Sequence, residues 1–376
     1  MWYLLGVRIY LIEPYFSGSH RQWAEGLRDH SRHDIHLVTH EGQFWKWRLG
    51  GGFVTIAEAL QKAITDTGPP DLLLASSMLD LAGLLGLARR DVGDTPAAVY
   101  FHENQVTYPA IGRTRVEAAL GMINWSSLLA ADGAAFNSAF HRDAFFDAVP
   151  TLLGAYPDRR HNHLVPGVRS RSEVVPVGID LQRIGPLRGR SGPATFLWNH
   201  RWDPDKALED ALDAFGAVAA AGLDFRVVLA GQPFVDQPEE YREAIGELGD
   251  RVIHRGYLDE AGYIEALHTA DVVLSTARQE FFGVSVVEAM YAGALPVLPD
   301  RLVYPERVPV GMEELCLYRT PQQLIELLSA VAADPSSARQ AAPVVRASVE
   351  HYDWSTVGPQ TDEWLETVVG IPNADG

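Results

Sequence analysis

Two glutamates, Glu280 and Glu288, bracket the run Glu280-Phe-Phe-Gly283-Val-Ser-Val-Val-Glu288. Gly283 lets the backbone approach a ligand closely. The N–H groups of Val284, Ser285 and Val286 would stand at a helix start with no carbonyl to receive them, which suits a phosphate. Glu288, one turn further in, could take a ribose diol. A capped helix with an incidental pair of acids has the same spacing. A second run, His200-Arg-Trp-Asp-Pro-Asp-Lys206, carries Arg201 and Lys206 past the end of an apolar segment. Two fixed cations there would balance a diphosphate. A lysine at a helix start opposes the helix dipole, which favours a local anion; a solvated loop is the other reading.

Five further runs carry polar chemistry. Val175-Pro-Val-Gly178-Ile-Asp180 makes a sharp strand exit, equally that of a plain interdomain turn. Gly18-Ser19-His20 is a glycine turn opening a helix, a common arrangement. His102-Glu103-Asn104-Gln105 follows a buried strand and offers a catalytic or acceptor site, or a histidine satisfied by the core. Trp45-Lys46-Trp47-Arg48 interleaves aromatics with cations, which can stack bases and hold phosphates or simply build a tryptophan-rich loop. Arg159 and Arg160, with Arg169 and Arg171 nearby, form a basic island that suits a phosphate backbone, or a solvated face.

These runs sit on alternating strands and helices. Short apolar runs at 7–12, 35–39, 72–75, 97–101, 134–136 and 173–177 predict strands buried on both faces, with helical spacing between them. A Gly/Pro/Ser-rich stretch, 186–193, predicts a linker. A second series follows, with strands predicted at 195–198, 226–230, 252–254, 272–275 and 295–298. The expected fold is α/β, with two Rossmann-like domains (1–185 and 186–345) facing across a cleft. A helical segment over 346–376, with Trp354 and Trp364 as anchors, would cross back to the first domain.

Composition narrows the function. The 376 residues carry 31 Lys+Arg and 49 Asp+Glu, a net charge of −18, so non-specific nucleic-acid binding is disfavoured. The acidity is uneven: residues 1–185 sum to −2 and 186–376 to −16. A tRNA would have to use local patches in the first half. One cysteine, Cys316, excludes an internal disulfide and fits a cytoplasmic protein. No run is long and apolar enough for a membrane span, and no P-loop, GxGxxG or paired-histidine metal spacing occurs. The opening residues read as a short extension ahead of a buried strand.

The Glu280/Glu288 pair, Arg201 with Lys206, and VPVGID resemble, in that order of weight, the signatures of the retaining GT-B glycosyltransferases of family 4. A closer resemblance, along nearly the whole chain, is to the tRNA-queuosine mannosyltransferases. It is carried by EPYFSGSH (13–20), WKWR (45–48), ASSMLDL (75–81), YFHENQVTYP (100–109), FNSAFH (136–141), PDRRH (157–161), HRWDPDK (200–206), ARQEFFGVSVVEA (277–289) and LVYPE (302–306). That resemblance implies transfer of mannose from GDP-mannose to the cyclopentenediol of queuosine in tRNA-Asp. Fixed cations and helix-start amides would stabilise the leaving group without a metal, so a metal-independent transfer is expected. The resemblance also implies that Arg201 and Lys206 bind the donor diphosphate, Glu288 the ribose, and that Glu280 sits near the donor sugar. Gly18, Ser19 and His20 would close over the phosphates, with Gly178, Gly231, Phe282, Gly283, Val284 and Ser285 completing the donor site. His102 and Glu103 would face the reacting sugar. Trp45 to Arg48, Asn104, Gln105 and the four arginines would meet the tRNA. Two alternatives stay open: a family 4 enzyme with a small-molecule, glycan or lipid acceptor, and a non-catalytic nucleotide-sugar or tRNA binder.

Overall fold

The computed structural model describes residues 6–108, 115–232 and 238–370. Pro109 of the 100–109 run, the first five residues and residues 371–376 of the C-terminal segment lie outside them. The chain divides into two compact units, Met1–Ile179 with Trp354–Gly376, and Asp180–Asp353.

Unit 1 runs β1 (Arg8–Phe16), α1 (Gly18–His30), β2 (Asp34–Glu41), α2 (Trp45–Gly51), α3 (Phe53–Thr67), β3 (Leu72–Ser76), α4 (Leu81–Val92), β4 (Ala97–Phe101), α5 (Arg115–Ala130), β5 (Gly133–Phe136), α6 (Ala139–Gly154), α7 (Val165–Ser170) and β6 (Ser172–Val174). Its six strands are parallel in the order β2-β1-β3-β4-β5-β6. β3, β4 and β5 are buried at every position, because helices cover both faces. The order reverses between β1 and β3, and ligand sites in such sheets lie at the carboxyl ends beside that reversal.

Unit 2 runs β7 (Ala194–Asn199), α8 (Leu208–Ala220), β8 (Phe225–Ala230), α9 (Glu239–Leu248), β9 (Val252–Gly256), α10 (Glu260–Thr269), β10 (Val272–Leu274), α11 (Val284–Tyr291), β11 (Leu295–Pro299), α12 (Glu313–Cys316), β12 (Leu317–Tyr318), α13 (Pro321–Ala333) and α14 (Ser336–Val349). The parallel order β12-β11-β10-β7-β8-β9 puts the reversal between β7 and β10. Those are the strands that lead into Lys206 and Glu280.

The chain then returns to unit 1 as α15 (Trp354–Val369). Trp354 stacks on His30 with ring centroids 5.5 Å apart. A Cβ on Gly26 or Gly178 would lie 2.4 or 2.3 Å from the Trp354 indole, so both positions must lack one. The units part at Ile179/Asp180 and at Asp353/Trp354, earlier and later than the sequence boundaries of 185 and 345. The reason is local. Arg190, inside the proline- and glycine-rich stretch, donates to the carbonyls of His268, Ala292 and Gly293, which fastens that stretch to unit 2. Asp353 accepts from the Leu181 amide at 3.2 Å, which closes unit 2 at its edge.

Candidate functional site

In unit 2, Lys206 follows β7 through the 201–206 loop. Its Nζ donates to the Gln279 carbonyl at 2.7 Å and lies 3.3 Å from Glu280 Oε2 and 3.2 Å from Asp205 Oδ2. Glu280 Oε1 accepts from the Phe281 and Phe282 amides, at 3.1 and 3.3 Å. Burial opposes its charge, but Lys206, His200 and the Phe282 amide outweigh that and hold the carboxyl below its ordinary value. Burial, then Lys206, pushes the His200 pKa down to about 4, so that ring is neutral at pH 7. The Phe281–Gly283 turn is braced by buried Arg307. Its Nε donates to the Phe282 carbonyl at 2.8 Å, and its guanidinium lies 4.3 Å over the Phe282 ring.

Arg201 has a different partner from Lys206: it is exposed and bonded to Asp203 Oδ2 at 2.8 Å. Gly283 has φ +84, the left-handed region that favours glycine, and it opens α11. Val286 already donates to the Gly283 carbonyl at 3.0 Å, so the expectation of three open amides is corrected to Val284 and Ser285.

Glu288 is buried and both its oxygens are engaged. Arg183 bonds Oε1 and Tyr263 Oη donates to Oε2 at 2.8 Å. Burial raises its pKa against the pull of Arg183 and Tyr263. Asn199 ties the cluster together, donating to Tyr263 Oη at 3.2 Å and to the Ser285 carbonyl at 2.9 Å. Arg183 and Tyr263 had no signal in the sequence, because Arg183 lies 105 positions from Glu288.

Two glycines counted with the donor site have packing reasons. A Cβ on Gly231 would lie 1.9 Å from the His200 carbonyl oxygen. Gly178 belongs to unit 1 and admits Trp354.

In unit 1, β1 carries fully buried Glu13. Its Oε1 accepts from the Tyr15 amide at 2.8 Å, and Oε2 is 2.9 Å from His20 Nδ1. Gly18, at φ +51, makes the turn that brings Ser19 and His20 into the first turn of α1. His102 follows β4. Its ring centroid lies 4.5 Å from His20, 4.4 Å edge-on from Trp23 and 4.8 Å from Tyr100. Burial, then His20 and His141, drives its pKa well below the ordinary value. Its Nε2 is buried without a hydrogen-bond partner. Glu13 was missed as a site residue. Its signal was a carboxylate following the apolar run Ile9–Ile12 of β1.

The neighbouring residues divide. The Glu103 carbonyl accepts from Ser77 Oγ at 2.7 Å. Asn104 is fully buried, and its Oδ1 accepts from the Val106 and Thr107 amides at 2.9 and 2.8 Å. It shapes the loop, which corrects its expected contact with an acceptor. The Gln105 amide donates to Asn124 Oδ1 at 2.7 Å.

Trp45 to Arg48 form the start of α2. Phe44 and Trp47 are exposed, Lys46 Nζ lies 5.4 Å over the Trp45 ring, and Arg48 donates to the Glu41 carbonyl at 3.3 Å. The four arginines all have partners: Arg159 lies 3.7 Å from Asp158, Arg160 donates to the Tyr156 carbonyl at 3.0 Å, Arg169 bonds Asp143 at 2.9 Å and Arg171 donates to the Leu128 carbonyl at 2.8 Å; the first three are exposed and Arg171 is half-buried.

Residues 8–179 match the family described as tRNA-queuosine alpha-mannosyltransferase N-terminal, and residues 186–344 match glycosyl transferases group 1. The chain is 32% identical over 313 residues to the tRNA-queuosine alpha-mannosyltransferase of Drosophila melanogaster, covering 80% of this chain and 81% of that one. It is 27% identical over 210 residues to the GDP-mannose:cellobiosyl-diphosphopolyprenol alpha-mannosyltransferase of Xanthomonas campestris, covering 54% of each chain. Among solved structures, sucrose-phosphate synthase from Thermosynechococcus elongatus superposes with a TM-score of 0.72 at 16% identity, over 97% of this chain and all of that one. Two parallel six-stranded sheets in the GT-B arrangement, a group 1 glycosyltransferase segment in the second and this identity through both units make the chain a glycosyltransferase of the tRNA-queuosine alpha-mannosyltransferase family.

Proposed function

We propose that this enzyme transfers mannose from GDP-mannose to the cyclopentenediol of queuosine in tRNA-Asp, with retention at the sugar carbon. The observation that carries the reading is the 32% identity to the Drosophila enzyme, joined to a unit 1 that matches a family specific to that activity. A tRNA substrate fits a cytoplasmic location. Among the described residues no helix is long and apolar enough to cross a membrane.

The bond that breaks joins sugar C1 to a diphosphate oxygen. Negative charge grows on that oxygen, and donors already in place stabilise it at little reorganisation cost. Lys206 supplies a fixed cation, and the Val284 and Ser285 amides supply oriented donors at the start of α11. Arg201, exposed and held by Asp203, would exchange that partner for the diphosphate. Glu280 keeps Lys206 oriented near the donor sugar. Glu288 would exchange its bond to Arg183 or Tyr263 for the ribose hydroxyls. We assign Gly18 to His20 to the phosphates, and His102 with Glu103 to the reacting sugar. His102, neutral by burial, can accept a hydrogen bond from a hydroxyl. The acceptor hydroxyl attacks from the leaving-group face and passes its proton to the departing phosphate, so no dedicated carboxylate base is required, and the fixed cations and helix-start amides stabilise the leaving group in place of a metal.

The near-neutral residues 1–185 would meet the tRNA through Phe44 to Arg48 and through Arg159 and Arg160. The test is a panel of labelled GDP-, UDP- and ADP-sugars with tRNA that carries or lacks queuosine. Label entering only the queuosine tRNA, only from GDP-mannose, is the expected result. Hydrolysis of one donor without transfer to tRNA would send the acceptor to a small molecule, glycan or lipid.

A further inference from the structure

Glu13, His20 and His102 each offer a ligand atom within 4.8 Å of one another. They come from three places in unit 1: β1, the first turn of α1 and the residue after β4. Glu13 is fully buried, and a buried carboxylate demands a cation or a full set of hydrogen bonds. It bonds the Tyr15 amide and the His20 ring. His102 Nε2 is buried with no partner, while Trp23 and Tyr100 fix its ring.

We propose that Glu13, His20 and His102 form a binding site for a zinc-class divalent ion. Two imidazoles with one carboxylate suit zinc, cobalt or ferrous iron, and not magnesium or calcium. In a tetrahedral zinc site with bonds of about 2.0–2.2 Å, ligand atoms stand about 3.3–3.6 Å apart. Glu13 Oε2 and His20 Nδ1 are already 2.9 Å apart, so the ion replaces the proton they share at little cost in movement. One carboxylate and two neutral imidazoles leave the site with a net positive charge and an open fourth position for water. The three residues are separated by 7 and 82 positions, so no sequence spacing announces the site.

The consequence for transfer is inhibition, and that part rests on the proposed placement of His102 beside the reacting sugar. An ion held there occupies His102 and fills the space with bound water. Zinc should therefore stop mannosyl transfer and a chelator should restore it.

The experiment strips the full chain with EDTA, removes the chelator, and titrates cobalt(II) and zinc(II). Cobalt is read by its visible spectrum and zinc by competition with a chromophoric chelator. One equivalent per chain, with an intense low-coordinate cobalt spectrum and proton release, is the expected result. His20→Ala and His102→Ala should each weaken binding by about 100-fold or more. Glu13→Gln should do the same, read alongside its melting curve because the position is buried. His36→Asn, in β2 outside the cluster, should leave binding unchanged. Absence of binding at micromolar metal, or binding that survives both histidine variants, overturns the proposal. Stoichiometric binding abolished by those variants, with transfer indifferent to zinc, keeps the site and refutes the placement of His102 beside the sugar.

Discussion

Lys206→Met separates what Lys206 does for the fold from what it does for the reaction. The ammonium is held by the Gln279 carbonyl, Glu280 and Asp205 and is largely buried. Removing one partner of a buried pair costs about 3–5 kcal/mol, because the other charge is left uncompensated. Here Glu280 keeps the Phe281 and Phe282 amides and some solvent, so a loss of about 2–4 kcal/mol is the better figure. At about 2–4 °C per kcal/mol for a domain of this size, the unit 2 transition falls by about 5–15 °C. Without Lys206, burial dominates Glu280 and its pKa rises above the unfolded value, so the folded variant takes up the proton first and its stability deficit shrinks as pH falls through that range, the opposite of the wild-type dependence. Adding Glu280→Gln removes the stranded charge and should recover about half of the lost stability. Transfer behaves differently. If Lys206 stabilises the departing diphosphate, its loss costs about 10²-fold or more in turnover, and Glu280→Gln cannot restore it. The assay is a thermal melt beside single-turnover transfer for wild type, both single variants and the double variant. A double variant that regains transfer along with stability would refute the diphosphate role and leave Lys206 as scaffolding.

Arg159→Ala with Arg160→Ala should weaken tRNA binding and lower its salt slope by about one per lost phosphate contact, whereas Arg169→Ala, held between two carboxylates, Asp143 and Asp147, should leave the slope unchanged; filter binding from low to high salt reads both. Arg183→Met strands Glu288 beside Tyr263 and should raise the donor KM more than it lowers kcat, a split that steady-state kinetics would show. Gly178→Ala should destabilise unit 1 by about 1–3 kcal/mol by displacing the Trp354 indole, and Trp354→Ala should absorb most of that penalty in the double variant, as denaturant melts would reveal. His200 titrates near 6.5 when unfolded and near about 4 when folded, so between those values the unfolded chain holds the extra proton. Stability should fall by about 3 kcal/mol as pH drops from 6.5 to 4, and His200→Leu should flatten that dependence in melts across the range.

Much of the fold was legible because parallel strands buried on both faces are continuous apolar runs. β4 falls on the positions its pattern predicts, 97–101. α2 read as a loop, since seven residues ending in glycines show no helical period, and β12 has two residues. The candidate site was legible as residue types at strand ends, with Lys206 and Glu280 both named. What could not be read is who holds whom. Arg183 meets Glu288, and Glu13 meets His20 and His102, because sheet order brings distant segments together. Glycines show the same limit. A missing Cβ at Gly178 and Gly231, both counted with the donor site, does not announce in sequence that the Trp354 indole and the His200 carbonyl pack against them. Asn104 likewise shows only its type, and its buried amide turned out to fasten its own loop.

The most direct measurement digests tRNA after incubation with the purified chain and GDP-mannose and weighs the nucleosides by mass spectrometry. The account predicts that queuosine gains the mass of one hexose, that its anomeric carbon keeps the donor configuration, and that tRNA lacking queuosine is unchanged. Queuosine left unmodified under conditions where GDP-mannose is hydrolysed would contradict it.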